Sequence, residues 1–156
     1  YKKTMKNLLL TFLAIAVIFA ACEKEEEPTT TTTPTTPTNT YDFSCKVGGD
    51  DFTDNSPIVS ILNNQLIIDA NDGSNRIYIL IQGFSEIIVE EEINLVFPNT
   101  IWLTKDGVEY TNTQSGKLIF TKIGAELSGT FNFRSSSPSS GANKSVTEGA
   151  FVDLTY

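Results

Sequence analysis

The sequence predicts an all-β fold from residue 41 onward, in the form of an antiparallel two-sheet β-sandwich. Short runs of β-branched and aromatic residues alternate with clusters of Gly, Asn, Asp and Ser, and no stretch has helical periodicity beyond a turn. Strands joined by such short connections pair antiparallel. A partly closed lipocalin-like β-barrel is the alternative, because sequential hairpins can also close and strand periodicity does not separate the two.

Ten segments have the composition of strands. They are 42–47, 58–62, 65–70, 76–82, 87–95, 101–105, 108–111, 117–123, 126–134 and 147–156. Asn63-Asn64 and Asp106-Gly107 predict tight hairpin turns, and 71–75 predicts a longer turn. The serine-rich segment 135–145 is predicted to be one long loop.

Alternation of apolar and polar residues predicts which side of each strand is buried. The inward-facing residues predicted in two strands are Phe43, Cys45, Val47, Leu127, Gly129, Phe131 and Phe133. Segment 76–82 is apolar on both faces, because Ile77, Ile79 and Ile81 alternate with Tyr78 and Leu80. We therefore expect it to be a central strand.

Residues 1–21 have the pattern of a signal peptide, with the natural start expected at Met5. Leu8 to Ala21 is a run of 14 residues that only Thr11 interrupts. This is shorter than the roughly 20 apolar residues that a helix needs to cross a bilayer. It has the length of a secretory signal core.

The segment 22–27 predicts a lipid anchor and its address. Phe19-Ala20-Ala21-Cys22 resembles the site cut by the lipoprotein signal peptidase, and this implies that Cys22 carries the lipid. An ordinary signal peptide with a chance cysteine is the alternative. Lys24, Glu25 and Glu26 resemble the short export signal of Bacteroidota lipoproteins, which implies surface display on the outer membrane. The alternative is a solvated run of charges.

Residues 28–40 form a Thr/Pro-rich linker without an apolar side chain. Such a segment buries too little surface to offset the entropy of ordering, so we expect an extended tether with a reach on the order of 40 Å. It leaves 41–156 as a single β domain.

Composition restricts the possible functions. Cleavage before Cys22 leaves 8 basic and 19 acidic side chains, a net charge of −11. Nucleic acid is therefore an unfavourable partner, and contact with a membrane has to come from the lipid. The chain has no histidine, so catalysis by Ser-His-Asp or Cys-His sets and the common zinc sites are not available. We predict no cofactor and no disulfide for Cys45.

Several segments carry a resemblance that spans the β domain. They are Phe43-x-Cys45-x-Val47-x-Gly49, Asp51-Phe52-Thr53, 116–122, 127–133 and Thr147-Glu148-Gly149-x-Phe151. On these residues the chain resembles a family of small Bacteroidota surface lipoproteins of unknown function. The resemblance implies fold and location, and it adds no catalytic residue.

Acidic residues suggest two further kinds of site. Segments 50–54 and 69–75 carry the oxygen ligands that calcium prefers, but Asp and Asn are also ordinary turn formers, and we predict no metal site. Glu90 and Glu92 would share a face of the strand predicted over 87–95. A solvated sheet edge is the preferred interpretation, because neighbouring carboxylates on one strand do not flank a glycosidic bond.

Trp102, Tyr78 and Tyr110 are the candidate ligand-binding residues. They could form an aromatic platform for a sugar ring or a peptide, although such residues in a small sandwich usually belong to the core. An exposed Trp102 would favour a glycan ligand.

The sequence predicts a non-catalytic binding or structural module, with an extracellular glycan or protein as its partner. A barrel-type carrier of a small apolar ligand is the second hypothesis. A carboxylate-dependent glycan hydrolase is the third, and it would need two facing carboxylates about 5 to 10 Å apart in a cleft.

Overall fold

The structure is a computed structural model that describes residues 41–156. The predicted leader (1–21), anchor and export signal (22–27) and linker (28–40) lie outside the described residues, as do Cys22, Lys24, Glu25 and Glu26. Within the described part, no helix has both the length and the apolar character to cross a membrane.

Strands dominate the domain. They are β1 (Phe43–Val47), β2 (Asp50–Asp54), β3 (Ile58–Leu62), β4 (Gln65–Asn71), β5 (Arg76–Gln82), β6 (Glu92–Asn94), β7 (Thr100–Lys105), β8 (Val108–Tyr110), β9 (Asn112–Lys122), β10 (Glu126–Ser136) and β11 (Asn143–Thr155). A short 3-10 helix, Phe84–Glu86, follows β5.

The strands form two antiparallel sheets. One has six strands in the order β2-β1-β11-β10-β9-β6, and the other has five in the order β3-β4-β5-β7-β8. The predicted sandwich and its antiparallel pairing are confirmed. The barrel alternative is wrong, because the edge strands β3 and β8 each pair on one side only and the two sheets remain separate.

The core lies between the sheets and is built from the residues that alternation predicts. All seven inward-facing residues named from the sequence are buried, and so are Ile77, Ile79 and Ile81 of β5. β5 is the middle strand of its sheet, as predicted. Phenylalanine rings fill the centre: Phe120 packs edge-on against Phe151, with ring centroids 5.6 Å apart.

The tight hairpin turns are also confirmed. Asn63 and Asn64 have φ values of 51° and 61°, and Asp106 and Gly107 have 52° and 77°. Two consecutive left-handed residues make the type I′ turn, whose twist matches that of the flanking strands.

β2 was not predicted. Its sequence, DDFTD, has one apolar residue, Phe52, and that side chain is buried while Asp50 and Asp51 are exposed. A strand with one apolar side chain lacks the alternation that would identify it, and its aspartates indicate a turn instead.

The strand predicted over 87–95 is wrong for most of its length. Only Glu92–Asn94 is extended and paired. Glu90 has a φ of 67°, and its backbone N–H donates to the Phe120 carbonyl at 2.8 Å, which holds this segment in a turn. Ile88 and Val89 are consequently exposed rather than buried.

The loop predicted over 135–145 is shorter than expected. β10 extends through Ser136 and β11 begins at Asn143. Ser135, Ser136 and Ser137 are buried, and the Ser135 hydroxyl lies 3.3 Å from the Thr113 hydroxyl, to which it donates. Serine is polar, so composition alone does not predict its burial beside a hydrogen-bonding partner.

Contacts at both ends of β2 connect the six-stranded sheet to the five-stranded sheet. The Asp54 carboxylate accepts a hydrogen bond from the Asn71 backbone N–H at 2.7 Å, and Asp50 forms an ion pair with Lys105 at 2.8 Å. Asn71 ends β4 and Lys105 ends β7, with β5 between these two strands. β2 therefore runs across the ends of three strands of the five-stranded sheet, which is the geometry of steeply crossed sheets.

Candidate functional site

The outer face of the five-stranded sheet carries the aromatic pair that the sequence singled out. Tyr78 of β5 and Trp102 of β7 lie directly opposite each other in the ladder. Their rings stack with centroids 4.9 Å apart and planes inclined by 23°. The Trp102 side chain remains 46% exposed.

Tyr110 does not join this pair. It lies opposite Leu103, an inward-facing residue of β7, and is only 6% exposed. The expectation that these aromatic residues belong to the core is thus correct for Tyr110 and wrong for Trp102. Two of the three predicted platform residues come together.

A groove of about 280 Å³ opens beside the stacked rings, and we call it the aromatic groove. Its lining residues are Arg76, Tyr78, Trp102, Thr104, Glu109 and Thr111. Arg76 lies opposite Thr104, which lies opposite Glu109, so these three side chains form one cross-strand row beside the aromatic row.

Most polar groups of the aromatic groove have no side-chain partner among residues 41–156. Four of its side chains make no hydrogen bond and no ion pair with any residue of 41–156. They are the hydroxyls of Tyr78, Thr104 and Thr111 and the carboxylate of Glu109. These groups are therefore available to a ligand, next to an exposed apolar ring.

Arg76 is held in place by Asp69. Its Nε donates to Asp69 Oδ1 at 2.7 Å, and its Nη2 donates to Asp69 Oδ2 at 2.5 Å. These hydrogen bonds and the carboxylate charge raise the pKa of Arg76. A guanidinium has five N–H groups, so several remain free to bind a ligand.

A second cavity of about 260 Å³ lies on the other side of Arg76, and we call it the polar cavity. Its lining residues are Asp54, Ser56, Ile58, Asp69, Asn71 and Arg76. Ile58 lies opposite Asp69 on the edge strand β3 and is 68% exposed. Arg76 is shared by both cavities.

The two segments considered for calcium behave as turns and as ion-pair partners. Asp72 accepts hydrogen bonds from the backbone N–H groups of Ser74 and Asn75 at 2.8 and 2.7 Å. Burial acts to raise the pKa of Asp72, but the hydrogen bonds from the Asn75 side chain and these N–H groups outweigh it and lower the pKa. Within 41–156, no three acidic or cysteine side chains are grouped to hold a metal ion.

The three consecutive glutamates do not share a strand face. Glu90 lies in the left-handed turn before β6, whereas Glu92 opens β6 and forms an ion pair with Lys117 at 2.9 Å. The prediction of a solvated sheet edge holds for Glu92, since β6 is the edge of the six-stranded sheet. It is wrong for Glu90.

Cys45 is a buried free thiol inside the core. Burial and, secondarily, the charge of Asp72 raise the pKa of Cys45 to about 12. The thiol is therefore protonated at neutral pH, and a nucleophilic role is not supported.

Sequence reasoning missed Arg76, Thr104, Glu109 and Thr111 as parts of the site. Spacing gave a partial signal, because Arg76 and Thr104 each lie two residues from an aromatic platform residue and so share its face. The grouping also depends on β5, β7 and β8 being neighbours in this register, and that information is not local in sequence.

Comparison of the chain with protein-family models, with curated proteins and with solved structures gave no match in any of the three. The resemblance to small Bacteroidota surface lipoproteins therefore stays a prediction.

Proposed function

We propose that the chain is a lipoprotein, anchored in the outer membrane through Cys22 and displayed on the cell surface, whose β domain binds an extracellular glycan without catalysis. The observation that carries the binding proposal is the half-exposed Trp102, stacked on Tyr78 at the wall of the aromatic groove. The anchor rests on the sequence pattern around Cys22.

The chemistry of the groove suits a sugar. A pyranose has one apolar C–H surface that can cover an aromatic ring and bury it from water, and hydroxyls around its rim. Thr104, Thr111 and Glu109 supply acceptors for those hydroxyls, and Arg76 supplies donors. Few convergent polar groups beside an apolar surface are typical of small-ligand sites.

We propose binding without catalysis because of where the carboxylates lie. Hydrolysis of a glycosidic bond uses a pair of carboxylates on opposite sides of that bond. Among the described residues, Glu109 is the single carboxylate lining the aromatic groove. Asp69 and Asp54 line the adjoining polar cavity, and Asp69 is bound bidentately by Arg76. The Asp54 carboxylate accepts hydrogen bonds from the backbone N–H groups of Ser56 and Asn71.

Replacement of the exposed ring tests the binding proposal. We expect Trp102→Ala to weaken binding to the best ligand of a glycan array at least about tenfold, because it removes the stacking surface. Phe97→Ala is the matched control, since Phe97 is 93% exposed and lies outside the groove. The assay is calorimetric titration of the 41–156 domain, whose core is built from its own side chains. Equal affinities for the two variants, or no glycan binding by the wild type, would refute the proposal.

The anchor is tested separately in cells. Cys22→Ser should move the full-length chain from the membrane fraction to the soluble fraction, and the wild type should carry a mass increment from fatty acids. Retention of the variant in the membrane, together with an unmodified wild type, would contradict lipid anchoring.

A further inference from the structure

From the position of Arg76 we infer that the aromatic groove and the polar cavity form one extended site for an uncharged oligosaccharide, which crosses the strands of the five-stranded sheet. This inference rests on the proposed glycan binding and adds the length, direction and charge class of the ligand.

Continuity between the two cavities comes from one side chain. Arg76 lines both of them, and its bidentate contact with Asp69 fixes the guanidinium at their boundary. A ligand residue stacked on Trp102 and the next residue along the chain can therefore share the N–H groups that Asp69 leaves free.

The lining residues follow the direction across the strands. Glu109 is on β8, Trp102 on β7, Tyr78 on β5, and beyond them Asn71 is on β4 and Ile58 on β3. Neighbouring strands are about 4.8 Å apart, so four steps from β8 to β3 cover about 19 Å. This length exceeds that of a single sugar ring and calls for an oligomer.

Charge at the site argues against an acidic glycan. The positive charge of Arg76 is balanced by Asp69, and in the described part of the chain no other basic residue lines either cavity. Glu109 and Asp54 add negative charge. A sulfated or uronic acid chain would meet like charges without an unpaired cation.

The far end of the site also combines an exposed apolar side chain with polar groups. Ile58 is 68% exposed, and both its exposure and its place beside Asp69 suit contact with a second sugar ring. The Ser56 hydroxyl adds a polar group without a partner among residues 41–156.

A length series tests the inference. Neutral hexose and N-acetylhexosamine oligomers of one to six residues are titrated against the 41–156 domain, with sulfated and uronic acid oligomers and apolar peptides as further arms. We expect affinity to rise at least about tenfold between the disaccharide and the tetrasaccharide, and acidic oligomers to bind at least about tenfold more weakly than neutral ones of equal length.

Variants on the edge strand β3 test whether the rise in affinity with oligosaccharide length comes from the polar cavity. Ile58→Ala should reduce the affinity for the tetrasaccharide at least about threefold and leave the affinity for the disaccharide unchanged. Leu62→Ala is the matched control, because Leu62 lies on the same side of β3, is 65% exposed and lines neither cavity. Thermal unfolding of both variants checks that the fold is retained.

The outcomes separate this inference from the proposed function. If Trp102→Ala abolishes binding but affinity does not depend on length, or Ile58→Ala behaves like Leu62→Ala, the extended site is refuted and glycan binding stands. If acidic oligomers bind as well as neutral ones, the charge class is refuted. If only peptides bind, both proposals fail.

Discussion

Gly149 in β11 leaves no room for a side chain. A Cβ atom at this position would lie 2.5 Å from the Phe131 carbonyl oxygen and 2.7 Å from atoms of the Phe131 ring. Gly129 in β10 is similarly enclosed, at 2.6 Å from both the Ile119 carbonyl oxygen and the Phe151 ring. These glycines let aromatic side chains lie flat over the six-stranded sheet.

Gly149→Ala should therefore reduce the free energy of unfolding by about 1 to 3 kcal/mol, because the added methyl group displaces packed backbone and ring atoms. Urea denaturation of the 41–156 domain measures it. Gly124→Ala is the control, since a Cβ atom at Gly124 would meet no atom of residues 41–156 within 4 Å. Similar unfolding midpoints for the two variants would contradict this account of the glycine.

For single residues, the inward-facing side chains could be predicted from the sequence, but the exposure of the Trp102 ring could not. In β1, Phe43, Cys45 and Val47 alternate with polar residues, so the buried face is apparent from the sequence. In β7, Trp102 lies between Ile101 and Leu103, and three consecutive apolar residues do not indicate which of them faces solvent. The exposed ring became apparent only from the pairing of β7 with β5 and β8.

Among the connections between strands, the turn that joins β4 to β5 depends on Asp72. Its carboxylate accepts hydrogen bonds from two backbone N–H groups and from the Asn75 side chain. Asn75 in turn accepts a hydrogen bond from the Asp106 backbone N–H at 3.2 Å. One aspartate thus connects the β4–β5 turn with the β7–β8 hairpin.

Asp72→Ala should reduce the free energy of unfolding at pH 7 by about 1 kcal/mol, because the turn loses these hydrogen bonds. The folded pKa of Asp72 lies below its ordinary value of 3.8, so its contribution is present above that pH and is lost as the pH falls through the folded value.

Unfolding curves from pH 7 down to about pH 2 should therefore show a smaller loss of stability for Asp72→Ala than for the wild type. Glu91→Ala, which removes an exposed carboxylate without a side-chain partner among residues 41–156, is the control. A difference between the wild type and Asp72→Ala that stays constant with pH would exclude this role for the carboxylate.

Elements with regular alternation or a known turn signature could be predicted, and the others could not. The turns at Asn63-Asn64 and Asp106-Gly107 have local signatures, because their left-handed conformations favour those residues. β2 and the turn containing Glu90 depend on partners distant in sequence: β2 on β1, and Glu90 on the Phe120 carbonyl. The local amino-acid composition does not predict contacts with such distant partners.

The whole domain is acidic, with 7 basic and 15 acidic side chains over 41–156. Its outer surfaces differ in character: the six-stranded sheet carries ion pairs such as Lys46–Glu148 and Lys117–Glu92, and the five-stranded sheet carries the aromatic groove. Recognition of an uncharged glycan on the second surface would depend on stacking and hydrogen bonds rather than on net charge.

Binding to a neutral oligosaccharide should therefore change less than about twofold in affinity between about 0.05 M and about 0.5 M NaCl, because salt screens charge interactions and leaves stacking largely unaffected. Titration at several salt concentrations measures it, with the unfolding midpoint followed in parallel. A steep loss of affinity with salt would indicate a charged ligand instead.

At the scale of the whole molecule, the fold class could be predicted from the sequence, but the order of the strands in each sheet could not. Closely spaced strands with one apolar side predict two packed antiparallel sheets. The order β2-β1-β11-β10-β9-β6 places the first strand, β1, beside the last strand, β11, and no local pattern specifies this pairing. Since the groove is built on three strands of the other sheet, its lining could not be deduced before that sheet's order was known.

The crossing of β2 over the ends of β4, β5 and β7 has a consequence for recognition. The contacts of Asp54 with Asn71 and of Asp50 with Lys105 connect β2 to the ends of β4 and β7. Trp102 is on β7, and Tyr78 is on β5, which lies between these two strands. A surface braced in this way is preorganised, so the entropic penalty of association falls mainly on the arriving molecule. Free and occupied forms of the domain should accordingly superimpose closely along their backbones.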